Sequence, residues 1–179
     1  MKIKSRKIKI AVVGSSGDLG FSNDVKKTAE NLGKEIAKSG NILACGAETH
    51  CDTLPMFAAI AAKKYKRDIL GFSTGKNNTF FNKDFQVDTL ICTGSELGGG
   101  RDFVFINSCD AVIAIGGGAG TLTEMLIAYQ SNIPIFAITK TGGASDQMSG
   151  KYFDKRRLQI VRSCNNPKDA VDQVLRYFK

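Results

Sequence analysis

The sequence predicts an α/β fold, a three-layer doubly wound (Rossmann-like) and mostly parallel sheet with helices on both faces. Three observations carry this. Apolar, β-branched runs alternate with helix-periodic segments from end to end, the order that builds βαβ units. Ala111–Ile115 is apolar at every position, as a strand covered on both faces must be. Glycine clusters follow these runs at Gly14–Gly17, Gly98–Gly100 and Gly116–Gly120, where strand ends turn into helices.

The elements follow in order. Ile8–Ser15 is the first strand, ending in Gly14-Ser15-Ser16-Gly17. A helix over Asp24–Ser39 places Val25, Ala29, Leu32 and Ile36 on one face, with Gly40 as its stop. Asn41–Gly46 is a strand, Leu54–Lys64 an Ala-rich helix and Ile69–Ser73 a third strand. Ser73–Asp84 is a polar loop and Val87–Cys92 a fourth strand. A short helix, Arg101–Ser108, precedes the Ala111–Ile115 strand. The next helix starts at Thr121, with Leu122, Met125, Leu126 and Tyr129 at i, i+3, i+4 and i+7. Pro134–Thr139 is a strand, Gly142-Gly143 opens a loop, and Leu158–Val161 is the last strand. The final helix has Asn166 as N-cap, Pro167 at its first position, and a stripe of Val171, Val174, Leu175 and Phe178.

A length of 179 residues suits a single domain over residues 1–179. With 42% hydrophobic and 23% charged residues the composition is that of a globular chain, which argues against disorder. The net charge of +8 favours anionic ligands without naming one. No apolar run approaches the roughly 18–20 residues of a membrane span. The basic lead-in, Lys2 to Lys9, is followed by too short an apolar stretch for a signal peptide. Five cysteines without a CxxC pair point to a reduced, cytoplasmic chain. Cys45, His50 and Cys51 lie close together, but no second cluster completes four ligands, so no metal is expected.

Glycine turns at the carboxyl ends of parallel strands expose backbone N–H groups, and a following helix adds unpaired donors and positive potential. Together they make an anion site. The Walker pattern fails at Asn77, after Gly75-Lys76, and at Leu70. GxGxxG fails at Thr121. Four glycines within 116–120 exceed what a strand-to-helix crossover needs, which favours a ligand role. Thr121-Leu122-Thr123-Glu124 fits a capping box, and the same geometry holds a carboxylate beside the anion site. Arg101 opens a helix, where a cation opposes the dipole unless an anion binds there. Lys151, Lys155, Arg156, Arg157 and Arg162, beside Tyr152 and Phe153, form a basic stretch better read as a solvated face than as a nucleic-acid surface.

Gly116-Gly117-Gly118-Ala119-Gly120-Thr121-Leu122-Thr123-Glu124 resembles the PGGxGTxxE motif of the LOG (Lonely Guy), or lysine-decarboxylase-like, superfamily. Arg101, fifteen residues before Gly116, matches that family's Arg. Asp110–Ala114 resembles its DAFIA-like strand and Val13–Gly17 its CGSSxG turn. The resemblance covers about residues 8–140. It implies a nucleoside 5′-monophosphate phosphoribohydrolase, with the phosphate held by Gly117, Gly118, Gly120 and Thr121. Glu124 would act at the anomeric carbon, Arg101 would assist, and Gly14, Ser15 and Ser16 would line the pocket. No cofactor is implied, and a homodimer is. Gly116 replaces the motif Pro, Asp102 replaces the Lys after Arg101, and Gly46-Ala47-Glu48-Thr49 replaces a glycine turn. These departures resemble a divergent branch that includes molybdenum-cofactor carrier proteins. The alternative is therefore a non-catalytic nucleotide or molybdenum-cofactor carrier. The partner in either case is a nucleotide or other phosphorylated small molecule, with no membrane and with nucleic acid disfavoured.

Overall fold

The computed structural model describes residues 6–47, 52–74, 87–95 and 100–179. Seven strands pair in parallel: β1 (Lys9–Gly14), β2 (Ile42–Gly46), β3 (Ile69–Ser73), β4 (Thr89–Cys92), β5 (Ala111–Ile115), β6 (Ile135–Ile138) and β7 (Arg162–Cys164). Their order across the sheet is β4-β3-β2-β1-β5-β6-β7. The chain steps outward from β1 through β2 and β3 to β4. It then crosses back to lay β5 on the other side of β1, in register from Ile10↔Ala111 to Gly14↔Ile115. The loops after β1 and β5 consequently leave the sheet toward opposite faces, and a crevice opens between them.

The helices are α1 (Asn23–Ser39), α2 (Leu54–Lys63), α3 (Gly100–Asn107), α4 (Ala119–Gln130), α5 (Gly143–Met148) and α6 (Pro167–Tyr177). On one face Ala29, Leu32 and Ile36 of α1, Ala58 and Ala62 of α2 and Val171 and Val174 of α6 pack on Ile10, Val12, Leu43 and Ile113. On the other, Phe105 and Ile106 of α3 and Met125, Ala128 and Tyr129 of α4 pack on Ala11, Val13, Val112 and Ala114. The inner strands therefore bury alternate residues on both sides, which explains the continuous apolar character of β5.

Local chemistry sets most boundaries. Ser22 caps α1 by accepting from Val25 N–H, Thr53 caps α2 by accepting from Met56 N–H, and Asn166 caps α6 by accepting from Asp169 N–H. Gly40 ends α1 in the left-handed region at φ 81°.

Several expectations shift. Residues 143–148 form α5, not a loop. The segment is too short for a periodic signal, and its glycine start hides it. The last strand is Arg162–Cys164, not Leu158–Val161. Val161 instead exchanges backbone hydrogen bonds with Gly150 and Lys151, and Leu158 is exposed. Phe178 lies outside the buried stripe of α6, as its exposed C-cap, and Leu126 of α4 faces outward. β4 begins at Thr89, two residues later than expected. His50, Cys51, Gly98, Gly99 and most of the polar loop after Ser73 lie outside the described residues.

Candidate functional site

The crevice beside β1 and β5 holds a cavity of about 400 Å³. Its lining comes from the ends of β1 and β2, the turn after β1, the start of α2 and the first turns of α3 and α4. Gly14, Ser16, Gly118, Gly120, Thr121, Arg101 and Glu124 all line it. Ser15 and Gly117 do not. They build the wall behind it: Gly117 N–H donates to Ser15 Oγ across 2.7 Å, tying the β5 turn to the β1 turn. Gly116 N–H donates to Thr141 Oγ1 at 2.9 Å. Those two amides are therefore spent inside the protein.

The donors that remain belong to α4. That helix starts at Ala119, with Gly118 as its N-cap and no side-chain cap. The expected capping box does not form. Thr121 is the third helical residue, not the cap, and Glu124 is a full turn inside the helix. Four N–H groups at a helix start have no intrahelical partner. Here they face a cavity with the positive end of a 12-residue helix behind them.

The glycines separate by cause. Gly116 and Gly117 sit at φ 60° and 99°, a conformation that favours glycine. A Cβ on Gly14 would come within 2.4 Å of the Ile115 carbonyl, and one on Gly118 within 2.8 Å of Leu19. Gly120 has neither constraint: a Cβ there would meet nothing within 4 Å, in the cavity wall. It is the one glycine of this turn that the protein's own packing does not require.

Opposite α4, the first turn of α3 carries Arg101 and Asp102, both buried. Arg101 Nη1 lies 3.8 Å from Glu124 Oε1, and Arg101 Nε lies 3.2 Å from Asp102 Oδ1. Gly46, at the end of β2, supports this arginine. A Cβ on Gly46 would stand 2.7 Å from Arg101 Nη1, so the bare backbone leaves room for the guanidinium. Cys45, just before it, is wholly buried, and burial pushes its thiol up to about 12. Leu19, Thr53 and Pro55 also line the cavity and went unnoticed in the sequence. No motif marks them; chain crossing at the sheet's switch point brings them in.

One further element, α5, braces the site. Ala144 and Ser145 N–H of α5 donate to the Gly117 and Gly116 carbonyls at 2.8 and 2.9 Å. Ser145 Oγ sits between the Ala114 and Ile138 carbonyls, at 3.0 and 2.8 Å. The basic stretch after α5, in contrast, breaks up. Phe153 stacks on Tyr129, Arg156 pairs with Asp154, and Arg162 lies over Tyr177 and Phe136. Among the described residues no helix is long and apolar enough to cross a membrane, and no group of acidic, His and Cys side chains could hold a metal ion.

A doubly wound parallel sheet with an uncapped helix start at its switch point defines the class as Rossmann-like. The sequence profile of the SLOG cluster4 family matches residues 7–171, and the chain belongs to that family. The solved structure of TM1055 is 26% identical and superposes with a TM-score of 0.82, over 94% of this chain and 99% of that one. The molybdenum cofactor binding protein of Rippkaea orientalis is 25% identical at a TM-score of 0.80, over 98% of this chain and all of that one. The molybdenum cofactor carrier protein of Chlamydomonas reinhardtii is 25% identical at 0.79, over 97% and 99%.

Proposed function

We propose that this chain binds a phosphorylated small molecule and carries it without breaking it, the ligand being molybdenum cofactor or a nucleotide of similar size. One observation carries the reading: α4 presents an uncapped start to an open cavity, and Gly120 keeps that approach clear. Amides and helix potential at such a start suit a terminal phosphate. Thr121 adds a hydroxyl in the same lining, and Arg101 adds a guanidinium suited to two-point phosphate contact. A cavity of about 400 Å³ lies within the usual range for small-molecule sites. The likeness to two molybdenum-cofactor proteins over nearly their full lengths supports the carrier reading.

The second reading is the phosphoribohydrolase, favoured by the placement of Glu124 within 3.8 Å of Arg101 in that cavity. In it, water adds to the anomeric carbon as the N-glycosidic bond breaks. Ribose 5-phosphate and the protonated free base leave, and the Glu124 carboxylate stabilises the positive charge that develops on the sugar. Replacement of the family lysine by Asp102 removes a cation from that path and weakens this reading.

The chain is further proposed to work as a homodimer. Helices α3 and α4 pack together and leave Phe103, Val104 and Leu126 exposed.

Incubation with AMP, GMP and other monophosphates tests these readings, with binding followed by calorimetry and product by ribose 5-phosphate release. Saturable binding without base release is expected. Base release that disappears in Glu124→Ala would instead establish the hydrolase.

A further inference from the structure

Part of the basic stretch stays unengaged after its neighbours are bound into the fold. Residues 151–161 follow α5 without helix or strand, and backbone hydrogen bonds join their ends. Gly150 N–H donates to the Val161 carbonyl and Val161 N–H to the Lys151 carbonyl, both at 2.9 Å. Such a surface loop, with ends close together and a packed inner side, is an Ω-loop, a form that often carries function. Its inner side rests on the end of α4. Phe153 stacks on buried Tyr129 with 5.1 Å between ring centroids. Tyr129 Oη donates to Asp154 Oδ1 at 2.7 Å and accepts from Leu158 N–H at 3.2 Å. Gln159 Nε2 donates to the Ala128 and Ile133 carbonyls at 3.1 and 2.9 Å.

These contacts engage the loop's one acid. Asp154 accepts from Tyr129 and from both the backbone and the side chain of Arg156. Lys151, Tyr152, Lys155 and Arg157 remain exposed around an open hollow. No ion pair among the described residues uses Lys151, Lys155 or Arg157. Arg157 is held in the left-handed region at φ 52°, which its surroundings must enforce on a residue with a side chain. Its guanidinium lies 5.5 Å from the Tyr152 ring centroid. Leu158, next along the chain, is 52% exposed. The cations are thus displayed on an anchored frame, and a partner need not order the loop to bind it.

The chemistry of the partner follows from these groups. Clustered, unpaired cations attract carboxylates or phosphates. A nucleic-acid strand stacks its bases on open aromatic faces, but Arg157 covers a face of Tyr152, and exposed Leu158 offers a strand neither charge nor ring. Acidic and apolar side chains occur together on protein surfaces, and Tyr and Arg are prominent among the residues that anchor protein interfaces. We propose that residues 151–158 form a docking surface for an acidic protein partner. Its carboxylates pair with Lys151, Lys155 and Arg157, and its apolar side chains cover Tyr152 and Leu158. The surface is separate from the candidate cavity: roughly 15 Å of α4 lies between Ala119 in the cavity lining and Tyr129 under the loop. Docking is therefore independent of the phosphate-binding reading.

The test is fluorescence anisotropy at low salt on the full-length protein. The probes are two labelled peptides of about 18 residues, polyglutamate and a Glu-Glu-Leu repeat, and an oligothymidylate of about that length. The Glu-Glu-Leu repeat is expected to bind most tightly, although polyglutamate carries more charge. The triple variant Lys151→Glu, Lys155→Glu, Arg157→Glu should weaken it by about tenfold or more. Lys27→Glu, Lys64→Glu, Lys179→Glu makes the same change of charge elsewhere and should weaken it by less than about twofold. Tyr152→Ala with Leu158→Ala should erase the advantage of the leucine-containing peptide and leave polyglutamate binding unchanged. Equal losses in the two triple variants would overturn the proposal, because net charge alone would then explain the binding. Absence of peptide binding, or tightest binding to the oligothymidylate, would overturn it as well. So would sedimentation showing that the loop variant separates a dimer, since a second copy would then cover this face.

Discussion

Gly120 and the buried thiols carry the sharpest expectations for single residues. A methyl group at Gly120 meets no protein atom within 4 Å, and alanine gains up to about 1 kcal/mol of helix propensity over glycine. Gly120→Ala should therefore melt at or above the temperature of the unaltered protein. Its methyl stands where the ligand approaches, so phosphate affinity should fall about tenfold, roughly 1.4 kcal/mol. Calorimetry alongside a thermal melt separates the two effects. The thiols of Cys45, Cys109 and Cys164 are pushed up to about 12, in each case mainly by burial. Thiolate is the reactive form, so iodoacetamide at pH 8 should label exposed Cys92 before these three, as read by mass spectrometry. Stability follows with a definite sign. Unfolded thiols lose protons near pH 9 while the folded ones keep theirs. The folded state is thus favoured fully below pH 9 and progressively less between pH 9 and 12. The urea midpoint should drop from pH 8 to pH 10.5, and drop less in Cys109→Ala.

Among elements, the α1–α2 contact shows how a close approach overrides propensity. Gly33 lies inside α1, where glycine costs about 1 kcal/mol relative to alanine. Yet a Cβ there would fall 1.8 Å from the Ala58 carbonyl of α2, a backbone atom that cannot turn aside. Gly33→Ala should consequently destabilise the fold by about 2–4 kcal/mol despite its better propensity. A fall in melting temperature of roughly 4–16 °C would register it. The turn between β5 and α4 obeys the same logic. Gly143 sits at φ 58°, and its Cβ would strike the Gly117 carbonyl at 2.1 Å, so α5 can brace the turn only with glycine there. This bracing escaped the sequence reading because α5 has no recognisable period. The capping box misled for a related reason. The Thr-x-x-Glu spacing is local, but α4 starts two residues earlier, where Gly118 needs no side chain to turn the corner.

The whole molecule adds one expectation and one lesson. Phe103, Val104 and Leu126 on neighbouring α3 and α4 give the proposed dimer an apolar face, and aromatic anchors contribute most to such interfaces. Sedimentation should report a dimer, and Phe103→Glu combined with Leu126→Glu should yield a folded monomer. A monomeric unaltered protein would remove the dimer from the account. The alternation of strands and helices and the place of β5 inside the sheet were legible in residue order, because apolar periodicity and glycine placement are local signals, whereas the strand order was not. The sequence by itself determined the alternation of strands and helices and the chemistry available at the strand ends. The tertiary structure alone decided which glycine amides are spent on Ser15 and Thr141, which glycine stays open, and that Asp102 is buried. Those outcomes depend on contacts between residues as much as 102 positions apart, and only the crossing of β1 and β5 brings them within reach.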